Sequence, residues 1–528
     1  MKKMNIFLLG IVLFGFILRI YQLGEVPHGI THDEIGYIFN SYSLAQTGKN
    51  VLGESYPFLN YLVRAGYPFM PVTTYISVIV FKFLPLSAFA GRLPNALMGT
   101  ISIALIYFLA KQIFKKESVA LLSALSLAIM PWHIFFSRTA YDIGTAAFFY
   151  LLAVVAFFRY PILSMLSFLF ALLSYRGMAP ISIPLMALLL IYKKTPVRIM
   201  VGFLVVIVLF AAVSFANKNR GFLAETKIDV GKVAWEIELM RRDTMGPEKL
   251  KQAFINKPMS VLGRWTSNYL YSYSVGHLFL HGEASQIYTM YMRGKLYLVD
   301  LLLLLAGAFF LIRKKQEKGA VIFVFGLLAV SGIPGAIVGE PYATRTLPMT
   351  IPFALLIATG IDGLIHIRNY GKLIAIGLFG IYLFSFTHFL FDYYLRYAYQ
   401  RADVWVSDMK QVQHDIATQP TPTKKALLTG TTLADLLQYA FYAHVSPTTV
   451  QEVWKNAQVN PSQKLELENV VFGGNCNDTH LMADVLDTKV YSIVFGRPNC
   501  FDQEEPDHVI RDFYKNTIWN VYYPKGAQ

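Results

Sequence analysis

Long apolar runs alternate with short polar turns over the first three quarters of the chain. Stretches such as "VGFLVVIVLFAAVSFA" and "YLVDLLLLLAGAFFLI" are about the length needed to cross a hydrocarbon core of roughly 30 Å. Runs at about 4–22, 92–110, 118–135, 142–158, 161–175, 179–192, 198–214, 296–312, 319–337, 346–364 and 372–391 predict about eleven transmembrane helices. The apolar stretch 72–86 is the exception. A full span there would put Lys111, Lys115 and Lys116 on the outer side, so it reads as a juxtamembrane or half-inserted helix. Two outer loops follow from this threading, residues 23–90 and residues 215–294.

The period changes inside the first outer loop. In "GITHDEIGYIFNSYSLAQTGKN" the residues Ile35, Ile38, Phe39 and Tyr42 fall at i, i+3, i+4 and i+7. That spacing predicts an amphipathic juxtamembrane helix suited to a membrane surface. Thr31 followed by Glu34 matches a capping box at its start, and Gly48 supplies a stop. From about 396 the pattern changes again. Helix-like stretches ("LADLLQYAFYAHV") alternate with strand-like ones ("KALLTG", "TKVYSIVFG"), predicting an α/β domain outside the membrane over 396–528.

Composition agrees with the pattern. Of 528 residues, 55% are hydrophobic and only 15% charged; the mean hydropathy is +0.44. The whole reads as an α-helical polytopic membrane protein, 1–395, followed by the α/β domain. The net charge of +14 does not point to nucleic acid, because the basic clusters sit in short loops between apolar runs: Lys193, Lys194 and Arg198; Arg313, Lys314, Lys315 and Lys318; Arg368 and Lys372. This is the positive-inside pattern. It sets the N-terminus in the cytoplasm and the C-terminal domain outside the cell (inner or plasma) membrane. The first run follows Lys2 and Lys3 without a small-residue cleavage site and reads as a retained helix. The two cysteines, Cys476 and Cys500, both lie in the C-terminal domain. Pairing them in an oxidising compartment would contribute roughly 3 kcal/mol; two buried free thiols are the alternative.

Several polar residues need a reason to be where they are. Glu34 has one, the Thr31 cap. Asp33 is not required by the cap, although a carboxylate in the first turn suits the helix dipole. Asp142, in "PWHIFFSRTAYDIG", sits at the outer mouth of a span, where ionisable groups tend to mark function; a plain i, i+4 pair with Arg138 is the competing reading. Arg92, Arg176 and Arg345 all fall at outer helix ends. A shared phosphate ligand explains three arginines there economically; snorkelling or a local carboxylate suffices for any one. His277, His281 and Glu283 could suggest a metal, but residues lining an aqueous loop are the commoner case. There is no zinc spacing, phosphate-binding glycine loop or internal repeat. Carboxylates and arginines on one outer face suit attack by an alcohol on a lipid-linked sugar phosphate. The poor nucleophile needs a base, and the phosphate leaving group needs positive charge.

The chain resembles the GT-C superfamily of polyprenyl-phosphate-sugar-dependent glycosyltransferases, in the branch of protein O-mannosyltransferases and the lipid A aminoarabinose transferase. The matching pieces are "HDEIGYIFNSYSLAQTG", "FAGRLPNALMGTISIALIYFLAKQIF", "PWHIFFSRTAYD" and "YATRTLPMTIPFALLIATG", within about 1–395. The resemblance implies Asp33 as catalytic base and Asp142 as a second acid of the cavity, with Glu34 beside them. It matches Arg92 to the family's arginine at the start of span two and implies that Arg345 helps hold the lipid phosphate; Arg138 and Arg176 join them as candidate phosphate ligands, and Tyr342 and His281 as candidates for the substrate cavity. It implies a polyprenyl-phosphate sugar donor, a hydroxyl acceptor and the bilayer as partners. No cofactor is required by the sequence, and a divalent metal is left open. Many relatives carry a lysine and a double proline before the juxtamembrane helix; this chain reads "RAGYPFMPVTTY", with Arg64 nearest. A transporter or lipid flippase is the rival function. It would place carboxylates at the membrane midplane in broken helices. A catalytically silent scaffold is a further alternative.

Overall fold

The computed structural model describes residues 6–55, 70–192, 196–216, 230–283, 287, 288, 290, 293–313, 318–337, 342–402, 404–419, 425–431, 433–459, 465–473, 490–498, 500 and 505–524. Each of the eleven apolar runs coincides with helix. The first ten helices are α1 (Ile6–Ile20), α2 (His32–Thr47), α3 (Pro71–Phe81), α4 (Ala88–Phe114), α5 (Glu117–Ile129), α6 (Pro131–Ser137), α7 (Asp142–Phe157), α8 (Pro161–Leu172), α9 (Ser182–Tyr192) and α10 (Val197–Ala216). Among the described residues, four helices are long and apolar enough to cross a membrane by length and composition: Ala88–Phe114, Lys318–Ile337, Ala343–Ile365 and Gly371–Gln400. The remaining apolar helices do not meet that test over their described residues, so the count of eleven spans rests on the sequence threading.

The expected third span is broken. α5 and α6 meet at 60°, because Pro131 cannot donate to the α5 ladder and holds Met130 extended (φ −63°, ψ 120°). α6 ends at Ser137, with Arg138 as its cap, and a turn precedes α7. Arg138 and Asp142 therefore do not share a helix, and the i, i+4 pair that is the alternative reading of Asp142 does not form. α3 is an eleven-residue helix, about 16 Å long, too short to span, as read from the sequence.

α2 starts and stops where the pattern predicts. Thr31 Oγ1 accepts from the Glu34 N–H and the Thr31 N–H donates to Glu34 Oε2, a reciprocal capping box. Gly48 ends the helix at φ 71°, its N–H bonded to the Leu44 carbonyl. Its apolar face, however, does not rest on the membrane surface. Ile35, Ile38 and Phe39 lie in one core with Phe81 and Ala90 of the membrane part and with Met409, Leu436, Leu437 and Trp519 of the C-terminal part. A second protein layer covers that face, and the periodicity alone could not distinguish the two coverings.

The C-terminal part holds six described strands: β1 (Lys425–Leu428), β2 (Leu465–Leu467), β3 (Val470–Phe472), β4 (Tyr491–Gly496), β5 (His508–Arg511) and β6 (Thr517–Tyr522). They form one sheet in the order β2-β3-β1-β4-β6-β5. β1 pairs parallel with β3 and β4, and the outer pairings are antiparallel. Side chains tie this part to α2: Gln438 Nε2 donates to the Ile30 carbonyl at 2.8 Å, and Gln451 Nε2 reaches Ser43 Oγ, Thr47 Oγ1 and the Asn50 carbonyl. Gly29, at φ 86°, lies against the Trp405 backbone, where a Cβ would come within 2.3 Å of the carbonyl oxygen. Cys500 is buried and disulfide-bonded; Cys476, the chain's other cysteine, lies outside the described residues.

Candidate active site

The two adjacent carboxylates of α2 have opposite surroundings. Glu34 is fully buried. Its Oε1 accepts from Arg92 Nε (3.0 Å) and the Ala140 N–H (2.8 Å); its Oε2 accepts from Arg92 Nη2 (3.0 Å) and the Thr31 N–H (3.4 Å). Those contacts fill its acceptor sites. Glu34 is thus the joint between α2, α4 and the turn before α7.

Asp33 is exposed. Its one hydrogen-bond partner among the described residues is Tyr288, whose hydroxyl donates to Oδ2 at 3.0 Å. Surrounding protein raises its pKa above the ordinary value by desolvation; the Tyr288 hydrogen bond and the neighbouring His32 oppose that, and the Glu34 charge adds to it. Solvent at the open side of Asp33 tempers the shift without reversing its direction.

Asp142 begins α7 and accepts from the Tyr37 hydroxyl at 2.8 Å. Tyr37 in turn accepts from the Met70 N–H, so α2, α3 and α7 meet at this pair. One helix end positions both acids. On α4, Arg92 grips Glu34 beside Asp33. One turn later, Asn95 Nδ2 donates to the Thr139 and Tyr141 carbonyls at 2.7 Å and fixes the turn before Asp142. Asp33 and Asp142 both act electrostatically on the Tyr288 phenol, together with Tyr175. The Tyr288 ring packs against Tyr141 (5.5 Å) and Tyr342 (5.9 Å).

The predicted phosphate arginines separate into two kinds. All five N–H groups of Arg92 are occupied: besides Glu34, it donates to the carbonyls of Leu23, Pro27 and Gly29. Arg138 is likewise filled, by the carbonyls of Leu18, Tyr21, Gln22 and Val26 and by Tyr393 Oη. Both are fully buried. They clamp the segment from the end of α1 to the start of α2, so neither presents a free N–H to a donor phosphate. Arg176 is different. It opens the 3-10 turn Arg176–Ile181, is buried, and its Nε and Nη2 have no hydrogen-bond partner among the described residues. Arg345 lies over the Tyr342 ring at 4.8 Å, beside Tyr288.

His281 is exposed, and its side chain joins none of these groups. His277, His281 and Glu283 do not form a metal-binding group. His277 and Glu283 instead flank a buried lysine that sequence reasoning missed. Lys295 Nζ lies 2.6 Å from His277 Nε2, 3.5 Å from Glu283 Oε2 and 4.7 Å from the Trp132 ring centre. Burial pushes the Lys295 ammonium down to about 8, against the attraction of Glu283. Burial and Lys295 push His277 to about 3, leaving it neutral. Glu283 also accepts from the Ala343 N–H at 2.6 Å, which ties this cluster to the turn bearing Arg345. Lys295 and Tyr288 line one crevice with Trp132 and Phe135. Arg64 lies outside the described residues.

No family model matches the chain, and no curated protein matches it. Two solved structures share its fold over nearly the full length. The crystal structure of ArnT from Cupriavidus metallidurans bound to undecaprenyl phosphate aligns with a TM-score of 0.54 at 14% identity, covering 99% of this chain and 98% of that one. The apo state of the same protein aligns with a TM-score of 0.55 at 14% identity and the same coverage. The shared fold extends through the C-terminal sheet, and it is the fold that the sequence motifs point to.

Proposed function

We propose that the chain is an integral-membrane glycosyltransferase that moves a sugar from a polyprenyl-phosphate carrier to a hydroxyl acceptor on the outer face of the cell membrane. The observation that carries this reading is Asp33: an exposed carboxylate on a helix locked by buried contacts, beside a tyrosine-lined cluster, in a chain with the fold of a protein solved with undecaprenyl phosphate bound. The acceptor oxygen attacks the anomeric carbon as its proton passes to Asp33. The bond from that carbon to the phosphate oxygen breaks, and the lipid phosphate leaves with the electron pair, so the configuration inverts. A phosphate is already a good leaving group and needs cationic hydrogen-bond donors rather than a general acid. Arg176, with two buried N–H groups to offer, and Arg345 supply them. Asp142 and Tyr37 shape the floor against which the sugar rests. The proposed orientation keeps the N-terminus in the cytoplasm and completes the bundle of eleven spans with the shorter apolar helices.

The test is a reconstituted assay with undecaprenyl-phosphate-linked sugars, reading release of the free lipid phosphate. Transfer by the wild type with loss in Asp33→Asn supports the reading. Undiminished transfer in Asp33→Asn sinks the assignment of the base.

A further inference from the structure

A second cavity, of about 650 Å³, lies away from the Asp33 cluster. Its floor is made where spans end. Gly24, Glu25, His28, Gly29 and Ile30 follow α1; Leu86, Ser87, Ala88 and Phe89 open α4; Ala402 follows the Gly371–Gln400 helix. Its roof is the C-terminal part, through Ser407, Lys410, Gln413, Phe441, Tyr442 and His444. A chain of packed side chains runs between the two sites. Arg92 packs on Trp405 (5.5 Å), Trp405 on Tyr141 (6.3 Å), and Tyr141 on Tyr288, the partner of Asp33.

We propose that this cavity is a binding site for a phospholipid head group that carries both a phosphate and an amine, of the phosphatidylethanolamine type. Three features point there. The first is height: the points where three apolar helices end mark the membrane surface, where head groups reside. The second is charge. Glu25 and Lys410 both line the cavity, both are exposed, and neither is ion-paired among the described residues. One unpaired carboxylate and one unpaired ammonium match an ammonium and a phosphate in one ligand. His28 adds no further charge at neutral pH, because burial, Lys410 and Arg92 hold its pKa down against Glu25. Its imidazole is left as a neutral donor or acceptor, with the ring resting 4.9 Å from Tyr399. The third is the rim. Phe89, 38% exposed, lines the cavity and offers apolar surface to an acyl chain beside its polar groups. A purely anionic lipid would leave Glu25 facing a like charge.

The inference does not depend on the transferase reading, and its test needs no transfer. Full-length protein, delipidated in detergent, is titrated with phosphatidylethanolamine and with phosphatidylglycerol, and bound lipid is counted by native mass spectrometry. One tightly held phosphatidylethanolamine is expected, with phosphatidylglycerol at least about tenfold weaker. Glu25→Gln and Lys410→Gln, both surface changes that leave folding intact, are each expected to weaken the phosphatidylethanolamine adduct about tenfold or more. Soluble phosphoethanolamine is the arm for a free ligand and is expected to compete poorly. Equal binding of the two lipids, adducts indifferent to both substitutions, or full displacement by phosphoethanolamine at lipid-equivalent concentration would overturn the proposal.

Discussion

Glu34 and Arg92 form a bidentate ion pair in which both side chains are fully buried. The residue before Glu34 is exposed, and its one hydrogen-bond partner among the described residues is Tyr288. The pair therefore separates two roles that the sequence places side by side. Glu34→Gln breaks a buried pair and leaves the Arg92 charge uncompensated, at a cost of about 3 to 5 kcal/mol. It is expected to lower the melting temperature in detergent and the yield of folded protein. Asp33→Asn is expected to fold normally and lose transfer by about 100-fold or more, the scale of a general base. Circular dichroism melts and the lipid-phosphate release assay, run on both variants, would read this contrast. A stable, inactive Glu34→Gln would contradict it.

The upward shift at Asp33 has two consequences in pH. A folded-state pKa above the unfolded one contributes stability below the unfolded pKa, and that contribution is lost as pH rises through the folded pKa. Asp33→Asn should therefore melt at or above the wild-type temperature at pH 7, with the difference vanishing in acid. Activity runs in the opposite sense, because the base must be ionised. The acid limb of kcat/KM should lie above the ordinary aspartate range. Tyr288→Phe removes a hydrogen bond that favours the carboxylate, so that limb should move further up while KM changes little. An acid limb unmoved by Tyr288→Phe would show that Asp33 does not set it.

Legibility in the sequence followed the range of the interaction. The capping box at Thr31 and Glu34 and the stop at Gly48 are local, and each is found as read. The apolar runs are equally local, and each coincides with helix, the third broken in two at Pro131. The partner of Glu34 lies 58 positions away, and no spacing rule links the two. Arginines at outer helix ends looked like phosphate ligands because the alternative, a set of backbone carbonyls, carries no side-chain signal. Asn95, three residues after Arg92 on the same face of α4, was the one neighbouring clue to that clamp. Tyr37, one turn after Asp33, could have been picked out as its helical neighbour. Tyr288 and Lys295 come from a loop without periodicity, and only the fold brings them in.

Arg176 is a buried arginine whose Nε and Nη2 have no hydrogen-bond partner among the described residues. Each charge-assisted bond it makes to a phosphate would contribute about 1.5 to 3 kcal/mol. Arg176→Met should thus weaken use of the lipid donor by about 10- to 100-fold, through KM where the ground-state phosphate is held and through kcat where charge develops on leaving. Melting should change little, because no intramolecular bond of Nε or Nη2 to a described residue is lost. Titration of the substituted protein with undecaprenyl phosphate, read by its inhibition of transfer, would separate the two. Wild-type inhibition in Arg176→Met would remove Arg176 from the donor site.

Arg138 makes the opposite prediction from a residue of the same type. It holds the carbonyls of Leu18, Tyr21, Gln22 and Val26 while resting on the rings of Tyr393 and Tyr394 at 5.4 and 5.1 Å. It thereby satisfies carbonyls at the end of α1 and in the turn that follows it. Arg138→Met orphans these acceptors, at about 1 to 3 kcal/mol for each left without water. Arg138→Lys should not restore stability, since one ammonium with three donors cannot reach a set matched to a planar fork. Both variants are expected to melt lower. Whatever folded protein remains should keep the wild-type KM for the donor, because the guanidinium meets backbone rather than phosphate. A raised KM at unchanged melting temperature would return Arg138 to the donor site.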